Sequence, residues 1–299
     1  MKILEITRSP TVSQPFIMLS FFISRCKFTT ILYDLQHVNP LLTDDVIYPV
    51  EEPKKHYYYT MTKVTYLDHS GFAVTTPQVI IVFDYFRDPS HALEKLLDHN
   101  KELPVVFFAS HRHPDHFNPV IFNLAQNHER VYVLSNDIVV QQLHKGVSVA
   151  AMSKGDVLEN LPGGVRVKAF GSTDEGISFL VTLSDGTTVF HAGDLNDWHW
   201  KDTSTEREVQ KAENDFKVIV NRIKSEFPEI NIVMFPVDPR QGSDFARGAT
   251  IFLDEIATGD FFPMHFQGEH SEACDFASYV PEGKTSCHCL ATPGESISL

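Results

Sequence analysis

Apolar runs and amphipathic segments alternate along the chain from residue 63 onward. Short apolar runs are typical of buried strands, and apolar positions repeating every three or four residues are typical of helices packed on a sheet. The predicted strands are residues 64–67, 79–83, 105–109, 131–134, 165–170, 177–183, 188–190, 230–237 and 261–265. The predicted helices are residues 90–99 (capped by Ser90), 119–126, 137–144, 203–227 and 246–256. This order predicts an α/β protein with one domain over residues 61–299.

The first 60 residues stand apart from this alternation and are treated as an N-terminal extension of uncertain structure. Met61 precedes the first predicted strand in the way that an initiating methionine would. Residues 15–24 are apolar, but this segment is about half as long as a membrane-spanning helix. No cleavage site of small residues follows it, which disfavours a signal peptide. The sequence therefore predicts a protein that does not span a membrane.

Composition and charge narrow the choice of partners. The chain has 299 residues, of which 42% are hydrophobic, enough to bury one large core. Its formal net charge of −14 leaves no basic surplus for a nucleic-acid backbone. The cysteines, Cys26, Cys274, Cys287 and Cys289, are too few and too uneven for a disulfide framework. We therefore expect a cytoplasmic protein that acts on a small molecule.

Residues 110–116, Ser-His-Arg-His-Pro-Asp-His, directly follow a predicted strand and carry four potential metal ligands. Side chains alternate along an extended segment, so His111, His113 and Asp115 can point the same way. Imidazole and carboxylate are ligands that zinc and related ions accept, and an ion that keeps a position for water needs only three. The adjacent Asp115 and His116 therefore indicate a second ion. Two ions roughly 3.5 to 4 Å apart can activate a bridging water, which predicts hydrolysis.

Two further candidate ligands, Asp194 and His265, also stand just after predicted strands. Positions that are distant in the chain can converge where such strands end at one edge of a sheet. Taken singly, an Asp after a Gly often caps a turn, and a lone histidine is more often a packing residue. Together with the motif, these residues predict a metal site.

With these residues the chain resembles the metallo-β-lactamase superfamily, whose members carry an H-x-H-x-D-H motif, a later Asp and a final His on a four-layer αββα sandwich. The resemblance covers residues 63–299. Residues 69–72, 83–84 and 236–239 are similar to the group that includes ascorbate-6-phosphate lactonase. The resemblance implies a first ion on His111 and His113, a second ion on Asp115, His116 and His265, and a bridging Asp194.

Members of the family usually carry one more histidine between the motif and the bridging aspartate. Here that position reads Gly-Ser-Thr-Asp-Glu-Gly over residues 171–176. Asp174 is the natural substitute, since a carboxylate can bind the same ion and favours a harder metal. Alternatively, the segment is a polar turn and the site holds a single ion.

Other residues near predicted strand ends have open roles. His69 and His191 are candidates for orienting a ligand or donating to an oxyanion. Trp198 and Trp200 are candidates for a wall of the substrate pocket, and His199 lies between them in the chain. Packing explains each of these residues equally well.

The leading hypothesis is a metal-dependent hydrolase with one or two zinc ions, and manganese as the next choice of metal. A metal-held hydroxide attacks a carbonyl or phosphoryl centre, Asp115 orients the nucleophile or accepts its proton, and His191 is the second catalytic candidate. The resemblance favours a small ester, lactone or phosphorylated metabolite as the substrate. The alternatives are a di-iron redox enzyme on the same fold and a non-catalytic metal-binding protein. The sequence does not indicate the oligomeric state.

Overall fold

Two mixed β-sheets pack face to face in the computed structural model. The structure describes residues 6–8, 61–140, 147–268, 270–280 and 283–299. The strands are β1 (Ile6–Arg8), β2 (Lys63–Asp68), β3 (Gly71–Thr75), β4 (Ile80–Phe83), β5 (Val105–Ala109), β6 (Arg130–Ser135), β7 (Ser148–Met152), β8 (Asp156–Leu161), β9 (Val165–Gly171), β10 (Ile177–Thr182), β11 (Thr188–His191), β12 (Glu229–Pro236), β13 (Ala257–Met264), β14 (Ser286–Cys287) and β15 (Ser296–Ser298). The helices are α1 (Ala92–His99), α2 (Glu206–Glu226), α3 (Arg247–Glu255) and α4 (His270–Asp275).

The parallel strands fill one half of each sheet, up to its edge. Within the described residues, one sheet has eight strands in the order β1-β8-β9-β10-β11-β12-β13-β14, and the other has seven in the order β15-β2-β3-β4-β5-β6-β7. Strands β4 to β7 run parallel, as do β11 to β14. The carboxyl ends of several strands therefore lie along one edge of each sheet.

The core lies between the sheets. Successive side chains of a strand point to opposite faces of its sheet, either into this core or toward the outer helix layer. Val106 and Phe108 of β5 face the core between the sheets, whereas Val105 and Phe107 face the layer that contains α1. On the other side, Phe252 of α3 packs against Phe235 of β12 with ring centroids 4.9 Å apart. Burying one such aromatic side chain contributes roughly 1.5–3 kcal/mol. These four layers confirm the predicted αββα sandwich.

Helix starts follow local hydrogen bonding. The amide of Thr205 donates to the Glu208 carboxylate at 2.8 Å, and the amide of Glu208 donates to the Thr205 hydroxyl at 3.4 Å, forming a capping box before α2. The prediction that Ser90 caps α1 was wrong. Asp88 accepts hydrogen bonds from the amides of Ala92 and Leu93, and the Ser90 hydroxyl donates to Asp88.

Several short elements differ from the prediction. β3, β7 and β8 were not predicted. The apolar runs of β3 and β7 are short, with two alanines in β7, and polar residues interrupt the apolar positions of β8. The predicted helix at 119–126 is a 3-10 helix over Pro119–Asn123. Residues 137–140 form no helix, and residues 141–146 lie outside the described residues.

Part of the predicted N-terminal extension belongs to a sheet. β1 pairs antiparallel with β8 at the edge of the eight-stranded sheet. The remainder, including the apolar segment 15–24, lies outside the described residues, so the boundary at residue 60 stays a prediction. Among the described helices, none is long and apolar enough to cross a membrane.

Cys274 of α4 and Cys289 form a disulfide, although the cysteine spacing predicted no disulfide framework. The pairing depends on how α4 folds back beside the chain that follows β14, which spacing alone does not reveal. Disulfides are rare in a reducing cytoplasm. The cytoplasmic location therefore gains no support from the cysteines and stays a prediction.

Candidate metal centre

The predicted ligands meet where strand ends of the two sheets face each other. His69 lies in the turn between β2 and β3, residues 111–116 follow β5, Asp194 follows β11 and His265 follows β13. His69 and His265 adopt left-handed backbone conformations, with φ of 55° and 69°. Such conformations cost of order 1–3 kcal/mol for residues other than glycine and concentrate at functional sites. The fold thus holds these histidines in place against local strain.

The first group of candidate ligands, the three-residue cluster, consists of His111, His113 and Asp194. His111 Nε2 lies 3.0 Å from His113 Nδ1 and 3.3 Å from Asp194 Oδ2. His111 is fully buried, whereas 40% of the His113 side chain is exposed. This cluster therefore opens toward solvent on the side of His113.

The second group, the four-residue cluster, consists of His69, Asp115, His116 and His265, whose ligand atoms all lie within 4.8 Å of one another. His69 Nε2 lies 3.4 Å from Asp115 Oδ2. The three histidines are buried, and about a third of the Asp115 side chain is exposed. Sequence reasoning gave His69 only an open role, but the structure brings it into this group.

Asp194 faces both clusters. Its Oδ2 lies beside His111, and its Oδ1 lies 3.1 Å from His116 Nε2 and 3.4 Å from His265 Nε2. A carboxylate in this position can bridge two ions, which is the role that the family resemblance implied for Asp194.

The donor atoms fit divalent metal ions. Ligands about 2.1 Å from one tetrahedral ion lie about 3.4 Å apart, and the nearest donor atoms here are separated by 3.0 to 3.4 Å. Four buried atoms of the candidate ligands have no hydrogen-bond partner among the described residues, namely both ring nitrogens of His69, Nε2 of His116 and Oδ1 of Asp194. Buried polar atoms are normally satisfied. Ions bound by the two clusters would satisfy Nε2 of His116, Oδ1 of Asp194 and one ring nitrogen of His69.

The ionisable side chains of the two clusters shift one another's pKa values. Burial alone lowers the pKa of His116, but the carboxylates of Asp194 and Asp84 outweigh it and raise the pKa to about 10. Burial opposes the charge of Asp194, yet the neighbouring histidines hold its pKa well below the usual range. The contact with His69 likewise lowers the pKa of Asp115. These carboxylates are therefore ionised at neutral pH and attract a cation.

Asp84, which follows β4, contacts His116 of the four-residue cluster directly and is linked to His111 of the three-residue cluster through Ser110. It is fully buried and accepts hydrogen bonds from the Ser110 amide at 2.7 Å, the Ser110 hydroxyl at 2.6 Å and His116 Nδ1 at 2.7 Å. The Ser110 hydroxyl also lies 3.0 Å from His111 Nδ1. The bond to Nδ1 leaves Nε2 of His116 free to face a metal ion.

Asp238, which follows β12, supports His265 in the same manner. His265 Nδ1 donates to Asp238 Oδ2 at 3.0 Å, and Nε2 faces Asp194. Arg240 Nε donates to Asp238 Oδ1 at 2.8 Å, and Arg240 Nη1 donates to Gln267. The arginine fixes the carboxylate that orients the imidazole.

Glu175 lies beside Nε2 of His113. Its Oε2 lies 3.6 Å from His113 Nε2, and Arg112 donates to its Oε1 at 2.6 Å. His113 Nδ1 faces His111, so Glu175 lies behind the ring and outside the three-residue cluster. Asp174 is exposed and belongs to neither cluster; its amide donates to the Ser172 hydroxyl. Its role as a ligand stays a prediction.

The remaining sequence candidates surround the clusters. His191 is fully buried; its Nε2 lies 2.8 Å from the Ser70 carbonyl and its Nδ1 accepts from the Gly193 amide, so the geometry favours a positioning role. Trp198 donates to the Asp194 carbonyl, and its ring lies 5.3 Å from that of His265. Trp200 stacks on Trp198 and is half exposed.

His199 belongs to neither cluster and lies between Asp197 and Asp244, with Nδ1 3.1 Å from Asp197 and Nε2 3.2 Å from Asp244. The supporting roles of Asp84, Asp238 and Glu175 were missed by sequence reasoning. A weak signal was available for two of them. Asp84 and Asp238 are carboxylates that directly follow predicted buried strands.

Residues 63–209 match the Beta-lactamase superfamily domain. Among solved structures, the chain is similar to Igni18, a novel metallo hydrolase from the hyperthermophilic archaeon Ignicoccus hospitalis, with 18% identity, a TM-score of 0.56, and coverage of 80% of this chain and 99% of that one. It is also similar to the metallo-β-lactamase fold protein YhfI from Bacillus subtilis, with 13% identity, a TM-score of 0.54, and coverage of 80% and 100%. No curated protein matches the chain.

At these identities the similarity to solved structures supports the fold and nothing further. The two facing sheets, the outer helices and the domain match together identify the metallo-β-lactamase αββα sandwich. The histidine and aspartate clusters at its strand ends are suited to divalent metal ions.

Proposed function

We propose that this protein is a metal-dependent hydrolase that acts on a small ester, lactone or phosphorylated metabolite. The observation that carries the proposal is the convergence of seven ligand side chains into two adjacent clusters that share Asp194. Bound divalent ions supply an activated water and polarise a carbonyl or phosphoryl oxygen. The two clusters would hold one ion each.

The protein's own residues prepare this chemistry. Asp84 and Asp238 hold His116 and His265 with Nε2 facing Asp194. Asp115 is the partly exposed ligand of the buried four-residue cluster, and its carboxylate is ionised. It is therefore placed to accept a hydrogen bond from an attacking water and to orient it.

The substrate class rests on the resemblance to the group of ascorbate-6-phosphate lactonase and on the charges around the opening. Arg112 and Arg240 lie beside His113 and His265, and both guanidinium side chains are about half exposed. A phosphate or carboxylate on the substrate is compatible with these cations. We retain zinc as the first choice of metal, manganese as the second, and the cytoplasm as the location.

The test is hydrolysis by chelator-treated protein reloaded with Zn²⁺ or Mn²⁺, measured on a panel of lactones, esters and phosphodiesters. We expect turnover of at least one substrate class, and a loss of about 10³-fold or more in Asp115→Ala with an unchanged circular dichroism spectrum. His128→Ala, a partly buried histidine outside the site, is the control. Full activity of Asp115→Ala would contradict this mechanism.

The di-iron redox alternative rests on the resemblance of the fold and on a carboxylate ligand at Asp174. Asp174 lies outside both clusters, so no observation favours that alternative. A non-catalytic metal-binding protein would bind the ions and fail to turn over every substrate in the panel.

A further inference from the structure

His69 is a buried imidazole whose one close side-chain polar contact among the described residues is Asp115 Oδ2, 3.4 Å from Nε2. It is 2% exposed, and neither ring nitrogen has a hydrogen-bond partner among the described residues. An unsatisfied buried polar group costs about 1–3 kcal/mol. Its backbone carbonyl accepts from the His265 amide at 3.2 Å, so its turn is tied to the loop that carries His265. A side chain held this way, next to other ligands, calls for a binding partner that is not part of the protein.

The position of the ring suits a metal ligand. His69 Nε2 lies 3.4 Å from Asp115 Oδ2, which is about the separation of two ligands on one tetrahedral ion. Its ring centroid lies 4.3 Å from that of His265 and 5.5 Å from that of His116. The four ligand atoms lie within 4.8 Å of one another. With His69 the cluster has four protein ligands of its own, in addition to Asp194 Oδ1, which faces His116 and His265.

The three-residue cluster differs in both ligand number and exposure. It has two histidines and Asp194, which also faces the other cluster, and 40% of the His113 side chain is exposed. Metal sites closed by four protein ligands are typically structural, whereas sites with three keep a position for water or substrate.

We infer that the four-residue cluster, with His69 as its fourth protein ligand, binds the first ion tightly, and that the three-residue cluster binds a second, exchangeable ion. The inference rests on the metal binding that the proposed function requires. It assigns the substrate-accessible position to the ion beside His113.

The wild-type protein tests the order of binding directly. Metal-free protein is crystallised with one equivalent of Zn²⁺, and anomalous diffraction at the zinc edge locates the ion. We expect one peak in the four-residue cluster, at a bonding distance of about 2.1 Å from His69 Nε2. A peak between His111 and His113, equal occupancy of both clusters, or a zinc ion beyond bonding distance of His69 would overturn the inference.

Variants separate a ligand from a hydrogen-bond donor. In solution, we expect His69→Ala and His69→Gln to weaken binding of the first zinc ion about 10- to 100-fold in competition with a chelator, and His113→Ala to lose only the second ion. If His69 merely donates to Asp115, His69→Gln should retain wild-type affinity, which would overturn the assignment. Circular dichroism checks the fold of each variant, and His128→Ala is the matched control.

The outcomes distinguish this inference from the proposed function. A protein that binds no zinc defeats both. A protein that binds two ions in the opposite order, and still hydrolyses a substrate, defeats only the inference drawn here.

Discussion

Two buried carboxylates beside ligands of the candidate metal centre or in the loop that follows them, Asp84 and Asp197, have different surroundings. Both are fully buried. Asp84 accepts three hydrogen bonds, and although burial favours its neutral form, the neighbouring histidines lower its pKa. Asp197 lies in the loop after Asp194. His199 Nδ1 lies 3.1 Å from its Oδ1, but neither oxygen makes a well-formed hydrogen bond among the described residues, and burial raises its pKa.

The comparison shows that burial alone does not decide whether a carboxylate supports the fold. A buried charge is tolerated when donors surround it and is unfavourable when they do not. Asp84 therefore stabilises the site that it contacts through Ser110 and His116. Asp197 carries a cost that the surrounding fold must offset.

Removal of Asp84 has the largest expected effect. Asp84→Ala leaves the Ser110 amide and hydroxyl and His116 Nδ1 without their acceptor. We expect a loss of about 3–5 kcal/mol in the free energy of unfolding, measured in urea, and zinc affinity weakened about 10- to 100-fold. Asp84→Asn, which keeps one acceptor oxygen, should lose less. Unchanged stability in Asp84→Ala would mean that the buried network contributes little.

Asp238 is the supporting carboxylate with a smaller expected effect. Asp238→Ala removes the acceptor of His265 Nδ1 and leaves Arg240, whose side chain is 45% exposed, able to turn toward water. We expect a stability loss of about 1–3 kcal/mol and zinc affinity weakened about 10-fold, measured by chelator competition. Arg240→Gln, which keeps the carboxylate, serves as the comparison and should bind zinc more tightly than Asp238→Ala. The reverse order would show that Arg240, not Asp238, holds His265.

Asp197→Asn tests the other half of the comparison, with an effect of opposite sign. Because the folded protein raises the pKa of Asp197, it favours the neutral form. The stability linked to this group is present below the unfolded pKa of about 3.9 and is lost as pH rises through the folded value. Asp197→Asn should therefore be more stable than wild type by about 0.5–2 kcal/mol at pH 7.

Thermal unfolding over a pH series checks this prediction. The stability gain of Asp197→Asn should shrink toward zero as pH falls below about 4. A gain that is equal at all pH values would come from packing rather than charge. A loss at pH 7 would show that His199, whose Nδ1 lies 3.1 Å from Asp197, pairs with the charged form.

The sequence predicts the layers of the fold and most ligands for physical reasons. Runs such as residues 105–109 are wholly apolar because both faces of the strand are buried, and ligands placed directly after such runs converge where parallel strands end. His69 was harder to assign because nothing local shows that its turn is tied to His265. Asp84 acts through Ser110 and His116, which lie 26 and 32 residues away in the chain. Asp238 acts through His265, which lies 27 residues away. Their roles depend on tertiary contacts that spacing does not encode.

The smallest expected effects belong to Glu175 and Asp174, and they test whether either residue takes the place of the histidine that the family resemblance led us to expect. Glu175 is partly exposed behind His113, whereas Asp174 is exposed and outside both clusters. We expect Glu175→Gln to weaken binding of the second zinc ion only a few-fold, less than the loss in Asp238→Ala, because a partly exposed partner orients the ring less firmly. Asp174→Ala should keep the wild-type metal content, measured by elemental analysis, and stability within about 0.5 kcal/mol. Loss of one ion per chain in Asp174→Ala would instead establish Asp174 as a ligand, since the turn of residues 172–176 would then have to bring its carboxylate to His113 when metal binds.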